Sequence, residues 1–453
     1  MKNKIIIFCL FLISLIFFFI NNKFKEIDRD LAYKNDLLFY RTVQLSRTGH
    51  LYEENIRKNQ LPINFNKTNE QKFEINNEKF TFKKFRTFDL ITGKFSSTGG
   101  SSYIDYYDNK IFLASATGIF AFVDVNNFIN DKLQFSSIKS NIKELIDFED
   151  FYKSTWFGLK DLLIYKNKLY ISYTNQFKND CYNTSILISN LNLEKLIFEK
   201  FYTPEICVHT DNEYGEFNAS QSGGRIVPYK NNKLLFSIGD YKFRDHAQDK
   251  TNVIGKIIEI DIDTQKTKII SMGHRNSQGL YYDNLNDVII STDHGPQGGD
   301  EINIYNFHNG NIENYGWPIS SYGEHYGGKS NLNKSKYKKA PLYKSHKKYG
   351  FVEPIKYYDP SIAINEITKI PQSFNEKYTN DFFIASLGYR EQISEGDCSI
   401  HHVRFDKNYN QIIFENIIPI GERIRDMIYI EKLKKIFLFL ENTASIGILS
   451  KSS

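Results

Sequence analysis

Only four of the 453 residues are cysteine, and no cysteine–histidine spacing among them suits zinc. Zinc fingers and related small metal domains are therefore excluded. There is no Walker loop and no RNA-binding signature. Charge of either sign is not in excess: 58 Lys and Arg stand against 53 Asp and Glu, a net +5. So small a surplus is no electrostatic footprint for nucleic acid. A small-residue cleavage site is also missing after the N-terminal apolar run of residues 5–20, where Asn21, Asn22 and Lys23 follow directly. With Lys2 and Lys4 ahead of it, that run reads as a targeting segment. It is expected to be an uncleaved signal-anchor, with a cleaved signal peptide as the alternative. Either places the rest of the chain outside the cytoplasm, on the periplasmic side of an inner membrane.

What the chain has in quantity is aromatic residues, with 37 Phe and 30 Tyr. That composition favours strands around a substantial core. Residues 1–23 are assigned to the anchor and 24–70 to a polar neck. In the remainder, 71–453, one pattern returns six times: a short apolar run, a turn of Asn, Asp and Lys, then a second apolar run. The copies are 103–114, 161–173, 225–240, 279–293, 367–387 and 425–440. Each reads as a hairpin, and six similar hairpins with intervening strands predict an all-β, six-bladed β-propeller. A pair of β-sandwiches is the alternative, but it does not explain the repetition. The strand near 79–95 is expected to close the ring with 445–449, which removes exposed edges. Cys181 and Cys207 flank two apolar runs and are the expected disulfide in an oxidising compartment. Cys398 is expected to stay free. The Lys-rich stretch 329–348 reads as a solvated insertion, with steering of an acidic partner or lipid headgroup as the alternative.

Chemistry concentrates in two neighbouring blocks, Gly273-His274-Arg275-Asn276-Ser277-Gln278-Gly279 and Asp293-His294-Gly295-Pro296-Gln297-Gly298-Gly299-Asp300-Glu301. Arg275 offers a fixed fork of donors, and Asn276 and Gln278 add neutral ones. The glycines allow close backbone approach. Asp300 and Glu301 supply hard oxygen ligands of the kind Ca²⁺ takes.

With Gly224-Arg225, Ser237-Ile238-Gly239-Asp240, Asn314-Tyr315-Gly316-Trp317-Pro318 and Arg423-Ile424-Arg425-Asp426, these blocks make the chain resemble the glucose/sorbosone dehydrogenase family. The resemblance implies a six-bladed propeller using pyrroloquinoline quinone (PQQ) and Ca²⁺ to oxidise a sugar at its anomeric carbon. It implies that Arg275 and Asn276 reach the quinone oxygens, that Arg423 and Arg425 hold its carboxylates, and that Gln278 and His294 support the site. The carbonyls of Gly295 and Pro296 would hold Ca²⁺, beside Asp300. Glu301 and the Tyr315 carbonyl resemble the position of a second, structural ion, although the 306–313 loop is longer than the family's. Tyr315 and Trp317 would wall the site.

Two departures stand against this pattern. Gln221 occupies the position of the family's catalytic histidine, and a neutral amide is no general base. Gly388 stands where the sugar dehydrogenases carry a cofactor-contacting lysine. Three readings follow. One is an oxidoreductase with a rearranged base, for which Asp245 and His246 are the candidates beside a plain solvated-loop reading, and with a periplasmic cytochrome as electron acceptor. The second is a non-catalytic propeller that binds a sugar, glycan or protein. The third is a structural envelope protein held by residues 5–20.

Overall fold

The computed structural model describes residues 49–90, 101–127, 132–146, 157–306, 311–388 and 397–452. The expected anchor at residues 5–20 lies outside them. Among the described residues, no helix is long and apolar enough to cross a membrane.

Local turn chemistry sets up the architecture. Asp108-Asn109 and Lys166-Asn167 take positive φ between adjoining strands. Two successive residues at positive φ match the right-handed twist of a hairpin, and Asn and Asp tolerate that region well. All six predicted hairpins form, and each is the inner half of a blade of four antiparallel strands, to which a two-residue fifth strand is added in blades 2 and 3. Blade 1 runs Ser102–Tyr107, Lys110–Ser115, Phe120–Asp124, Lys132–Ser140. Blade 2 runs Leu159–Tyr165, Lys168–Lys178, Cys181–Asn190, Glu199–Tyr202. Blade 3 runs Gly223–Tyr229, Lys233–Ile238, Lys256–Asp261, Thr267–Met272. Blade 4 is Ser277–Asp283, Val288–Asp293, Asp300–Asn306, Lys356–Tyr358. Blade 5 is Ile364–Ile370, Asp381–Ser386, Ser399–Phe405, Ile412–Pro419. Blade 6 is Ile424–Ile430, Lys435–Leu440, Ser445–Lys451, and then Glu78–Arg86 from the other end of the chain.

The first strand of each blade neighbours the first strand of the next, and blade 6 returns to blade 1, so the ring closes as a propeller. Closure joins the two ends of the described chain: Phe82 pairs with Leu449 in antiparallel register. The strand Ile63–Ile75 then continues from Glu78–Arg86 across to the outer strand of blade 1, with Phe65 opposite Leu133. The neck expected over 24–70 therefore ends earlier than its polar composition suggested. Residues 63–75 are a strand of alternating exposure that bridges these two blades, and the helix Gly49–Asn59 packs on blade 1 through buried Ile56 and Glu53, whose carboxylate accepts from Thr117. The core lies between blades. Tyr170, Ile186, Leu234 and Phe236 fill one such interface, and Ile290, Ile302, Phe382 and Ile384 another.

Polar side chains on the inner strands stitch neighbouring blades. Asp426 accepts from the Ile104 amide (2.7 Å), Asp105 from Ile164 (2.6 Å) and Asp161 from Ile226 (2.6 Å). Each carboxylate thus satisfies a backbone donor of the next blade, which burial would otherwise leave costly. Arg225 ties these pieces together. Its Nη1 donates to Asp161 of blade 2 (2.7 Å) and Asp426 of blade 6 (3.1 Å), and its Nε donates to the Gln278 carbonyl of blade 4 (3.1 Å). Its Nη2 pairs with Glu366 of blade 5, and Tyr103 of blade 1 presents its ring 6.0 Å away. Burial pushes the carboxyls of Asp161, Glu366 and Asp426 upward, against the pull of the guanidinium.

Cys181 and Cys207 form a disulfide with Cα atoms 5.5 Å apart, and Cys398 is free and buried. The Lys-rich stretch is tethered in part: Lys336 pairs with Glu216, Lys339 with Glu213 (3.2 Å) and Lys344 with Glu324 (3.0 Å).

Removing Arg225 would leave three buried carboxyls without their cation. Arg225→Met is expected to lose on the order of 3–5 kcal/mol of stability. Urea denaturation at neutral pH checks this; an unchanged midpoint would mean that the blades are not clamped here.

Candidate active site

The turn entering blade 4 is held by one carboxylate. Asp293 accepts from the backbone amides of Arg275 (3.2 Å) and Asn276 (2.7 Å) and from His274 Nδ1 (3.0 Å). Gly273, at φ 76°, has Asn314 Oδ1 only 2.2 Å from where a Cβ would sit, so the position demands glycine. So held, Arg275 is aimed at the loop after Asp293: its Nη1 donates to the carbonyls of His294 (2.9 Å) and Gly295 (2.6 Å). Its guanidinium lies 5.6 Å from the Trp317 ring, and Trp317 Nε1 donates to Asp240 (2.8 Å). Asn276 Oδ1 accepts from the Gly223 amide (3.0 Å), joining blade 3 to this turn.

Three of the expected metal ligands have protein partners. Asp300 accepts from the Gly295 amide (2.9 Å), the Ser361 hydroxyl (2.7 Å) and the Ile364 amide (3.0 Å). Burial pushes its carboxyl up to about 6. It supports the loop and fastens blade 4 to blade 5, rather than offering a free ligand oxygen. Glu301 and the Tyr315 carbonyl, expected at a second ion, instead flank His346. His346 Nδ1 donates to the Tyr315 carbonyl (2.9 Å), and its Nε2 faces Glu301 Oε1 at 3.2 Å. Burial opposes protonation of that imidazole, but Glu301 outweighs it and raises the pKa. A side chain from the Lys-rich stretch thus lies between the two groups expected at the second ion. Gly295 and Pro296 remain as candidate carbonyl ligands, Gly295 already with one lone pair on Arg275.

A second guanidinium pair meets this loop. Arg423 Nη1 donates to the carbonyls of Leu387 (3.2 Å) and Gly388 (2.7 Å), and its Nε to Glu441 (3.0 Å). Arg425 pairs with the other oxygen of Glu441 and donates from Nη1 to Gln278 Oε1 (3.1 Å). Burial would raise the Glu441 carboxyl, but Arg425 and Arg423 hold it well below the usual range. His294 lies among all three arginines. Burial, then Arg275, Arg425 and Arg423, keep its imidazole neutral, and its buried Nε2 has no partner among the described residues.

A cavity of about 60 Å³ lies beside this cluster, with Tyr103, Lys160, Gly223, Arg225, Gln278 and Arg425 in its wall. A smaller one, about 10 Å³, is bounded by Arg275, His294, Gly295, Tyr315 and Trp317. Gln221 lines neither. Its amide, oriented to satisfy both neighbours, accepts from Arg275 (2.9 Å) and donates to Asp240 (3.1 Å). The expected alternative bases also lie apart from both cavities. Asp245 accepts from the Tyr214 hydroxyl, and His246 stacks on Phe243 at 4.3 Å. The short 3₁₀ turn Arg244–Gln248 carries them away, which loop proximity in sequence did not reveal. Glu441, His346 and Lys160 were not singled out from the sequence, and Asp240 entered only as the end of a motif.

These features define a class: a propeller whose site gathers three guanidinium groups around one neutral imidazole. The chain belongs to the glucose/sorbosone dehydrogenase family, whose description it matches over residues 132–444. It is 30% identical over 228 residues to an uncharacterised protein of Synechocystis sp., covering 45% of this chain and 50% of that one. It is 28% identical over 220 residues to the aldose sugar dehydrogenase of Escherichia coli, covering 45% of this chain and 53% of the relative. It thus spans about half the length of these curated relatives. Among solved structures, the apo-form of the Escherichia coli aldose sugar dehydrogenase superposes with a TM-score of 0.59 at 18% identity, over 78% of this chain and 95% of that one. The PQQ-bound aldose sugar dehydrogenase of Streptomyces coelicolor gives 0.54 at 16%, over 83% and 99%. At these identities the structural likeness is one of fold.

Glu441 should be the most sensitive acid in the cluster. Its folded pKa is depressed, so its contribution is present at neutral pH and is lost as pH falls through that lowered value. Glu441→Gln is expected to cost on the order of 3 kcal/mol at pH 7. The gap from wild type should narrow below pH 4, as followed by denaturant unfolding across a pH series.

Proposed function

We propose that this protein is a PQQ-dependent oxidoreductase acting on an aldose. The observation that carries the reading is His294 Nε2, a buried polar atom without a partner among the described residues, set among Arg275, Arg423 and Arg425. A buried unsatisfied group beside three guanidinium groups is what a compact, multiply anionic ligand would complete. Family membership and the sugar dehydrogenase relatives support the same reading.

When bound, the quinone supplies a two-electron acceptor for hydride from the sugar carbon. Arg423 and Arg425 would hold its carboxylates, while Arg275 and Asn276 would meet its quinone oxygens. Arg275 would there oppose the negative charge that develops on reduction. Ca²⁺ would sit on the carbonyls of Gly295 and Pro296; the Gly295 oxygen keeps a second lone pair beside its bond to Arg275. Glu441 keeps both arginines charged and fixed. Export to the periplasm, anchoring through residues 5–20 and a cytochrome as electron acceptor belong to the same proposal. The disulfide Cys181–Cys207 supports the oxidising compartment.

A second reading, a propeller that binds a sugar, glycan or protein without turnover, is favoured by one observation. The Gln221 amide is fully engaged by Arg275 and Asp240 and has no base chemistry. Reconstitution with PQQ and Ca²⁺ separates the two. A bound quinone chromophore that aldoses bleach supports the oxidoreductase, and a stable chromophore supports the binder.

Gln221→His places an imidazole where Asp240 can orient it. Aldose turnover is expected to rise by about 10²-fold or more, since a positioned base contributes about 10²–10⁴-fold. Steady-state rates with saturating PQQ check this. No change with PQQ bound would place the base elsewhere.

A further inference from the structure

We propose that Lys256 is a positioning residue of the site: its ammonium clamps the turn Arg244–Gln248, and that turn sets where Arg275 and Trp317 stand. The consequence for ligand binding rests on the PQQ reading above, whereas the clamp itself is detectable without a ligand.

The clamp is a ring of three carbonyls. Lys256 opens the third strand of blade 3 and is fully buried. Its Nζ donates to the carbonyls of His246 (2.6 Å), Ala247 (3.0 Å) and Ile254 (2.9 Å). An ammonium has three donors and no acceptor, so these oxygens use it completely. The backbone is drawn tight beside it: a Cβ at Gly255, where φ is 70°, would lie 2.7 Å from Ala247 Cβ.

What the clamp holds is the approach to the site. The Ala247 carbonyl also accepts from the Gly273 amide (3.0 Å), two residues before Arg275. The Ala247 side chain packs against Trp317 and Leu342. Gln248 donates from Nε2 to the Trp317 carbonyl (2.6 Å) and exchanges hydrogen bonds with the Asn314 amide (2.8 and 3.1 Å). The Trp317 amide returns to the Gly273 carbonyl (3.1 Å). One turn therefore fixes both the backbone that carries Arg275 and the aromatic wall beside its guanidinium.

The clamp also has a charge state. Burial lowers the Lys256 amine to about 7, with Asp249 the opposing charge. The His246 imidazole on the same turn is held below its ordinary range, chiefly by burial, and the strand neighbours Ile238 and Met272 are apolar. Asp240 and Lys242 precede the turn; burial raises the first and lowers the second. Loss of one proton leaves Lys256 two donors and a lone pair facing the third carbonyl, so one anchor of the turn is released.

Trp317 reports on this directly. The chain has two tryptophans, and Trp156→Phe leaves Trp317 as the sole emitter. In that background its fluorescence is expected to change in a step with a midpoint near pH 7, following Lys256. Lys256→Met should abolish the step. Gln248→Leu keeps the lysine but cuts its link to the Trp317 carbonyl, and should shrink the step by about half or more. With PQQ and Ca²⁺ at about pH 6, Lys256→Met is expected to bind PQQ about 10-fold more weakly than wild type. Circular dichroism establishes that each variant is folded. Emission that stays flat from about pH 6 to about pH 8.5 overturns the proposal. So does a step that survives in folded Lys256→Met, or wild-type PQQ affinity in that variant. If Lys256→Met does not fold, an undiminished step in Gln248→Leu overturns it instead. If Trp317 responds as expected but wild type binds no PQQ, the clamp stands and the PQQ reading falls.

Discussion

Arg225 is the point on which the ring depends. A propeller closes only if six sheets, each stable mainly through its neighbours, are held at a common axis. Here one guanidinium reaches blades 2, 4, 5 and 6 from blade 3 and faces an aromatic ring of blade 1. The charges involved are buried, so the arrangement is costly unless all the partners are present. That makes the network a specifier of geometry: it is satisfied only when every inner strand is in register. Two of the carboxylates it gathers, Asp161 and Asp426, also accept backbone amides from the next blade, so ring closure and the interblade bonds reinforce one another.

The same economy governs the site. Its acids are spent on architecture and its cations face the cavities. Asp293 pins the turn that carries Arg275, Asp300 pins the loop that carries Gly295, and Glu441 pins Arg423 and Arg425. Each arginine is thereby fixed before any ligand arrives, so little ordering entropy is left to lose on binding. His346 extends the principle. A side chain from the Lys-rich stretch lies between Glu301 and the Tyr315 carbonyl and joins them.

Much of this was legible in the chain. Turn residues such as Asp108-Asn109 and Lys166-Asn167 carry their conformation locally, so the six hairpins could be read directly. The pairing of Cys181 with Cys207 followed from the two apolar runs between them. The neck boundary could not be read, because residues 63–75 form a strand with a largely polar exposed face that bridges Glu78–Arg86 and the outer strand of blade 1, pairings that its composition does not show. Asp245 and His246 looked like site residues because they follow Gly239-Asp240 closely, yet a single 3₁₀ turn directs them elsewhere.

By itself, the sequence determined the fold class, the number of hairpins and the family of the site, since these rest on local turn chemistry, apolar alternation and contiguous motifs. Only the tertiary structure decided which charges meet. Lys160 and Arg425 are 265 positions apart and line one cavity, and Glu441 neutralises arginines that the sequence showed as free donors. His346 reaches Glu301 across 45 residues of loop and insertion. The physical reason is common to all three. A charge acts on whatever folding brings within a few ångströms in a low-dielectric interior. In a closed ring that neighbour comes from another blade.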